Sequence, residues 1–146
     1  MSKMNPEIKA LWVAALKSGE YKQAHGYLKV KASSEEAAGY CCLGVLCELA
    51  AKAGLDIKTG EKVVDCGVSG CNTCEDNGRV TYKFDNQESY PPLSVMKWAR
   101  LPYQNPRVIY GESPSADSAG EVSLASLNDV DKFDFNQIAD IIDAQL

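Results

Sequence analysis

The sharpest grouping of reactive residues is Cys66, Cys71 and Cys74, spaced Cys-x4-Cys-x2-Cys in a stretch that also holds Gly67, Gly70 and Gly78. Thiolates at that spacing can turn onto one metal ion, and zinc is the ordinary occupant of such a loop. The spacing also matches the first three ligands of a plant-type iron–sulfur loop. Either site needs a fourth ligand, and no cysteine or histidine follows Cys74. Zinc would have to borrow Cys47, His25 or a carboxylate such as Asp65 or Glu75, and the shortage excludes a cluster. Free thiols in a loop are the competing reading; a zinc ion would staple the loop rather than catalyse.

The other three cysteines are Cys41, Cys42 and Cys47. The first two sit where a helix should begin, and backbone amides there favour a thiolate. A nucleophilic thiol also needs a base, and His25 is the one histidine in the chain. Cys41 with His25, the ring oriented by Asn128 or Asp129, is therefore the candidate catalytic pair. Against it, Cys42 falls on the apolar face of the expected helix and Cys47 on its margin, where thiols act as small hydrophobes. Cys41 and Cys47 project about 120° apart around a helix, so these three cannot form a metal site alone.

A third set is cationic. Lys22, Arg79, Arg100 and Arg107, with Lys29, Lys97 and Tyr103, could line a concave pocket for a nucleotide-like anion, including one at a homo-oligomer interface. Trp12 and Trp98 read as core anchors before stacking surfaces. Gly67-Val68-Ser69-Gly70 imitates the GXXG of a KH loop but lies between cysteines rather than helices. There is no P-loop and no dinucleotide fingerprint.

The elements that must position these groups are partly legible. Asn5 as cap, Pro6 at the first helical position and Gly19 as terminator frame a first helix. Its apolar face is Ile8, Leu11, Trp12, Ala15 and Leu16. A second short helix is expected over about 21–28. A third runs from Tyr40 to Ala53, with Cys42, Leu43, Leu46, Leu49, Ala50 and Ala53 inward and Glu48 and Lys52 outward. Gly44 inside it costs about 1 kcal/mol relative to Ala, which suggests close approach of another backbone. Lys62–Val64 and Val80–Phe84 read as strands of a hairpin whose tip carries Cys66, Cys71 and Cys74. A short helix follows Tyr90-Pro91-Pro92 and ends near Arg100, then a strand over 106–110 and a loop over 111–120, the segment expected to be most mobile. Asp134 with Gln137 forms a capping box, with Phe133 and Ile138 as its staple. The helix it opens turns Phe135, Ile138, Ala139 and Ile142 inward and Asp140 and Asp143 outward. The expected class is α+β: helices around a small antiparallel sheet, one domain over 1–146, with the cysteine-rich hairpin inserted at about 56–85.

Composition narrows the classes. At 146 residues and 45% hydrophobic, the chain can bury one core. The start lacks an export signal, and the longest apolar stretch, Tyr40–Ala51, is too short to span a bilayer, so the expected location is cytoplasmic. A cytosolic setting keeps thiols reduced. The net charge of −5 is uneven: residues 1–83 carry 11 Lys/Arg against 10 Asp/Glu, and residues 84–146 carry 4 against 10. An acidic second half repels phosphates and makes nucleic acid an unlikely partner there. The closing helix suits the first half of a helix-turn-helix, but no recognition helix follows.

Three stretches carry a resemblance. They are Trp12-x-x-Ala15-Leu16-x-Ser18-Gly19-x-Tyr21-x-Gln23, then Tyr40-Cys41-Cys42-Leu43-Gly44-Val45-Leu46-Cys47, then Leu127-Asn128-Asp129 with Phe135-x-x-Ile138-Ala139-Asp140. Together they resemble a family of small proteins encoded in bacteriophage and prophage genomes. The resemblance implies a phage setting in the host cytoplasm, where accessory proteins bind host proteins or sequester defence signals. It brings no catalytic residues, and the cysteine hairpin is not part of it. Three functions follow as expectations: a non-enzymatic accessory protein that binds a host factor or a nucleotide-like signal, a cysteine-dependent enzyme using Cys41 and His25, or a zinc-stapled interaction module.

Overall fold

Asn5 opens α1 (Pro6–Ser18) by accepting the Glu7 N–H on its side-chain oxygen at 3.0 Å, and Gly19 closes it with a left-handed φ of 80°. The structure, a computed structural model, describes residues 4–24, 27–31, 38–64, 79–87, 90–101, 103–114 and 116–146, apart from the side chains of 62–64 and 79. Ile8, Trp12 and Leu16 of α1 are buried, but Leu11 is 54% exposed. The buried stripe is narrower than the spacing predicts. It faces α2 (Cys42–Lys52) on one side and α5 (Phe135–Gln145) on the other.

The sequence signal at α5 holds in detail. Asp134 accepts the Gln137 N–H at 2.8 Å and Gln137 Oε1 accepts the Asp134 N–H at 3.0 Å, a complete capping box. Phe135, Ile138, Ala139 and Ile142 are buried, while Asp140 and Asp143 face solvent.

The helix α2 starts two residues later than the periodicity predicts, with Cys41 as its cap and Tyr40 in a strand. From Cys42 to Cys47 it is buried all round rather than on one face. Gly44 explains how: a Cβ there would lie 1.6 Å from the Leu28 carbonyl oxygen. The expected close approach is real, and only a residue without a side chain permits it.

A five-stranded sheet lies beside these helices. Its strands are β1 (Lys22–Gln23), β2 (Lys29–Lys31), β3 (Gly39–Tyr40), β4 (Thr59–Val64) and β5 (Arg79–Phe84), in the order β1-β3-β2-β5-β4. Two expectations are corrected here. The helix over 21–28 does not form, because Lys22–Gln23 and Lys29–Lys31 are drawn into strands by pairing with Gly39–Tyr40. The sheet is also mixed rather than antiparallel: β3 inserts between β1 and β2, pairing parallel with the first and antiparallel with the second. The expected hairpin strands do pair, from Thr59 opposite Phe84 to Val64 opposite Arg79. Its tip, with Cys66, Cys71 and Cys74, lies outside the described residues.

The rest of the chain adds α3 (Leu93–Ala99), then β6 (Arg107–Ile109), β7 (Glu121–Ser123) and α4 (Leu124–Asp129). β6 and β7 make a separate antiparallel pair. β7 and α4 were not expected from the sequence; Ser123 caps α4 by accepting the Ser126 N–H at 3.2 Å. One buried cluster runs from Met4 through Trp12, Leu43, Leu46 and Leu127 to Ile142. Among the described residues no helix is long and apolar enough to cross a membrane.

Candidate functional site

Among the described residues, the reactive types gather around α2. Cys41 caps the helix, its Sγ accepting the Gly44 N–H at 3.3 Å. Cys42 donates its thiol to the Leu124 carbonyl at 3.7 Å, and its own carbonyl accepts Trp12 Nε1–H at 2.8 Å. Beside them, Gln23 Nε2 donates to Asn128 Oδ1 at 2.9 Å and to the Phe133 carbonyl at 2.7 Å. Asn128 Nδ2 donates to the Ala24 carbonyl at 2.9 Å and to Asp129 Oδ1 at 2.7 Å. Two of the stretches that carried the resemblance, Gln23 and Asn128-Asp129, are thus hydrogen-bonded to each other.

This arrangement binds the fold and does not expose a nucleophile. Cys41 is 4% exposed, Cys42 and Cys47 not at all. Burial pushes the Cys41 thiol up to about 12, and the nearby negative charge of Asp129 adds to the effect. Burial likewise raises Cys42 and Cys47 well above the ordinary thiol value. The helix N-terminus does pull the other way through the Gly44 N–H, as expected, but desolvation wins. His25, the proposed base, lies outside the described residues. Asn128 is spent on Gln23, Ala24 and Asp129, and every buried side-chain nitrogen and oxygen among the described residues has a partner. Cys47, the cysteine offered as a fourth zinc ligand, sits in the buried cluster. Among the described residues no three of His, Cys, Asp or Glu are grouped to hold a metal ion.

Accessible space lies elsewhere, and two clefts among the described residues bear on function. The first, about 450 Å³, is bounded by Lys29, Glu48, Thr59, Glu61, Tyr82 and Phe84. Lys29 Nζ lies 4.6 Å from the Tyr82 ring centre, 5.4 Å from that of Tyr40 and 3.7 Å from the Glu48 carboxylate. With Glu48 and Glu61 against one lysine among the described residues, this lining does not favour an anion.

The second cleft, about 510 Å³, is lined by Tyr90, Tyr103, Gln104, Asn105, Arg107 and Glu121. Tyr90 precedes Pro91-Pro92, which restricts it to extended backbone, and Gln104 Nε2 ties back to the Pro91 carbonyl at 3.0 Å. Asn105 Oδ1 accepts the Ala125 N–H at 3.1 Å, anchoring the wall to α4. Arg107 is held at 3.0 Å by Asp117 and 3.5 Å by Glu121. The Asp117 carboxyl is lowered below its ordinary value by the Glu121 and Ala119 N–H groups, with Arg107 adding to this, so it stays ionised against the guanidinium. Tyr103 is 63% exposed and Tyr90 42%.

Of the four cations expected to gather, the side chains of Lys22, Arg100 and Arg107 are described, and of these only Arg107 lines either cleft. Lys22 is exposed on β1, at the outer end of the five-stranded sheet. Arg100 is exposed just after α3, in a left-handed turn with φ of 57°. Arg79 stands in β5, its side chain outside the described residues. Lys22 and Arg100 thus stand apart from both clefts, on β1 and after α3. Sequence reading missed Tyr90, Gln104, Asn105 and Glu121; the proline-flanked tyrosines and the Asn105-Pro106 turn were the signals that could have found them.

A family model described as a domain of unknown function, DUF8296, matches residues 4–146. No curated protein matches the chain, and no solved structure does.

Proposed function

The chain belongs to the DUF8296 family, and we propose that it acts without catalysis, binding another protein through the cleft between Tyr90 and Tyr103. The observation that carries this reading is the chemistry of that cleft. Two exposed tyrosines and two amide side chains surround a guanidinium that two carboxylates already neutralise. Tyrosine supplies large contact area at small entropic cost, and amides adapt to a peptide surface. A phosphate would have to displace Asp117 and Glu121 from Arg107, which weighs against a nucleotide-like signal. In the phage setting that the sequence stretches resemble, the partner is a host protein in the cytoplasm.

The test compares capture of host proteins by the wild-type chain with capture by Tyr103→Ser and Cys41→Ala. A protein retained by wild type and Cys41→Ala but lost with Tyr103→Ser supports the reading. A native mass spectrum with a nucleotide-sized adduct, or capture that ignores Tyr103, overturns it.

A further inference from the structure

Among the described residues no further strand pairs with the outer edge of β6, yet that edge is not bare. Tyr110 donates its N–H to the Gly120 carbonyl at 2.8 Å and Leu124 its N–H to the Pro106 carbonyl at 2.9 Å, either side of Val108 opposite Val122. Those bonds turn the even-numbered residues of this stretch toward β7. Main-chain groups alternate along an antiparallel strand, so those of Arg107 and Ile109 point to the other edge. There the Gln145 side chain meets those of Ile109: its Oε1 accepts the Ile109 N–H at 2.7 Å, and its Nε2 donates to the Ile109 carbonyl at 2.8 Å.

One carboxamide thus makes with Ile109 the reciprocal pair of bonds that a residue of a neighbouring strand would make. We infer that the free edge of β6 is a docking site for an extended segment of a partner protein, with Gln145 as a latch that holds the place of its backbone. Resting on the protein-binding reading above, this inference adds how the partner is held: by strand addition, with the cleft beside β6 receiving a side chain. Gln145 is exposed, so water can take over its bonds when it leaves. Ile109 is 57% exposed in the middle of the edge, where an edge guarded only against aggregation would carry a charge. It lies on the same outward face of β6 as Arg107, which borders the cleft. With 4 basic and 10 acidic residues over 84–146, the segment that fits is basic, with apolar residues alternating.

Short random peptides displayed on yeast supply the probe, and NMR of the labelled full chain gives the readout. Recovered peptides should shift the Ile109 and Arg107 amide signals and release the Gln145 carboxamide signals. Gln145→Ala should tighten them about three- to tenfold, since the latch no longer competes. Binders that need Tyr103 yet leave Ile109 and Gln145 unmoved would overturn the strand-addition inference while leaving the protein-binding reading intact. Recovery of no binders would sink both. A Gln145→Ala chain that pairs with itself through β6 would overturn the hetero-partner assignment in favour of a second copy.

Discussion

Around the start of α2, three cysteines are sealed in with their thiols held protonated; at the rim of the small sheet, Tyr103 and Ile109 stand more than half exposed beside an open cleft. The first region has the residue types that catalysis uses and no access. The second has ordinary types and access. A cysteine at a helix N-terminus is a nucleophile only if the amides outweigh burial, and here burial wins. Chemistry-bearing residues at α2 hold the molecule together, while the surface proposed to meet another molecule is built from tyrosines, amides and a neutralised arginine.

If that division is right, the severest damage to folding comes from the smallest side chain at α2. Gly44→Ala places a methyl 1.6 Å from the Leu28 carbonyl oxygen, a backbone atom that cannot swing aside. The expected loss is at least about 4 kcal/mol, enough to leave much of the chain unfolded in urea titrations. A variant as stable as wild type would mean α2 is not pinned against Leu28.

Next in size is the polar clamp. Asn128→Ala removes its bonds to Gln23, Ala24 and Asp129 and leaves the part-buried Ala24 carbonyl without that donor. A cost of about 2–3 kcal/mol is expected. A double-mutant cycle with Gln23→Ala should return a coupling of about 1 kcal/mol or more, whereas additive losses would show that the two side chains do not act as one clamp.

The buried thiols give a pH signature of their own. Unfolded, Cys41 loses its proton near pH 9; folded, it keeps it to about pH 12. Between those values the unfolded chain binds fewer protons, so its stabilising effect is complete below pH 9 and is lost as pH rises toward 12. Cys42 and Cys47 shift in the same direction. Each adds a slope of about 1.4 kcal/mol per pH unit while its unfolded thiol is ionised and its folded thiol is not. Urea midpoints should therefore fall steeply above pH 9, and less steeply in Cys47→Ala. Equal slopes would mean that Cys47 ionises inside the fold.

How much of this was legible in the sequence followed from how local each signal is. α1 and α5 are set by caps and by apolar spacing within one segment, so Asn5, Gly19 and the Asp134–Gln137 box could be read directly. Gly44 declared a close contact without saying with what. β1 and β3 are two residues each, too short for any period, and exist because each completes the other across the chain. Tyr21–Leu28 offered a plausible helix, but Gln23 is used on Asn128 and Lys22 pairs with Gly39, and tertiary pairing overrides a weak local preference. The cleft was half visible: Arg107 and Tyr103 stood out by type, whereas Gln104 joins it through its bond to Pro91 and Glu121 through the pairing of β7 with β6.

The smallest effect on stability should come from the rim, and its smallness is what makes it informative. Tyr103 is 63% exposed and forms no hydrogen bond among the described residues that a serine would lose from the core. Tyr103→Ser is expected to stay within about 0.5 kcal/mol of wild type, as surface substitutions do. On the proposed reading it should nonetheless abolish partner capture, since an exposed aromatic anchor can supply a large share of an interface. The two measurements together separate the regions: at α2 a methyl group unfolds the chain, and at the rim the loss of a whole ring leaves the fold intact and removes only binding. Should Tyr103→Ser cost as much stability as Asn128→Ala, the rim would belong to the folding core, and the case for reading it as a docking surface would fail.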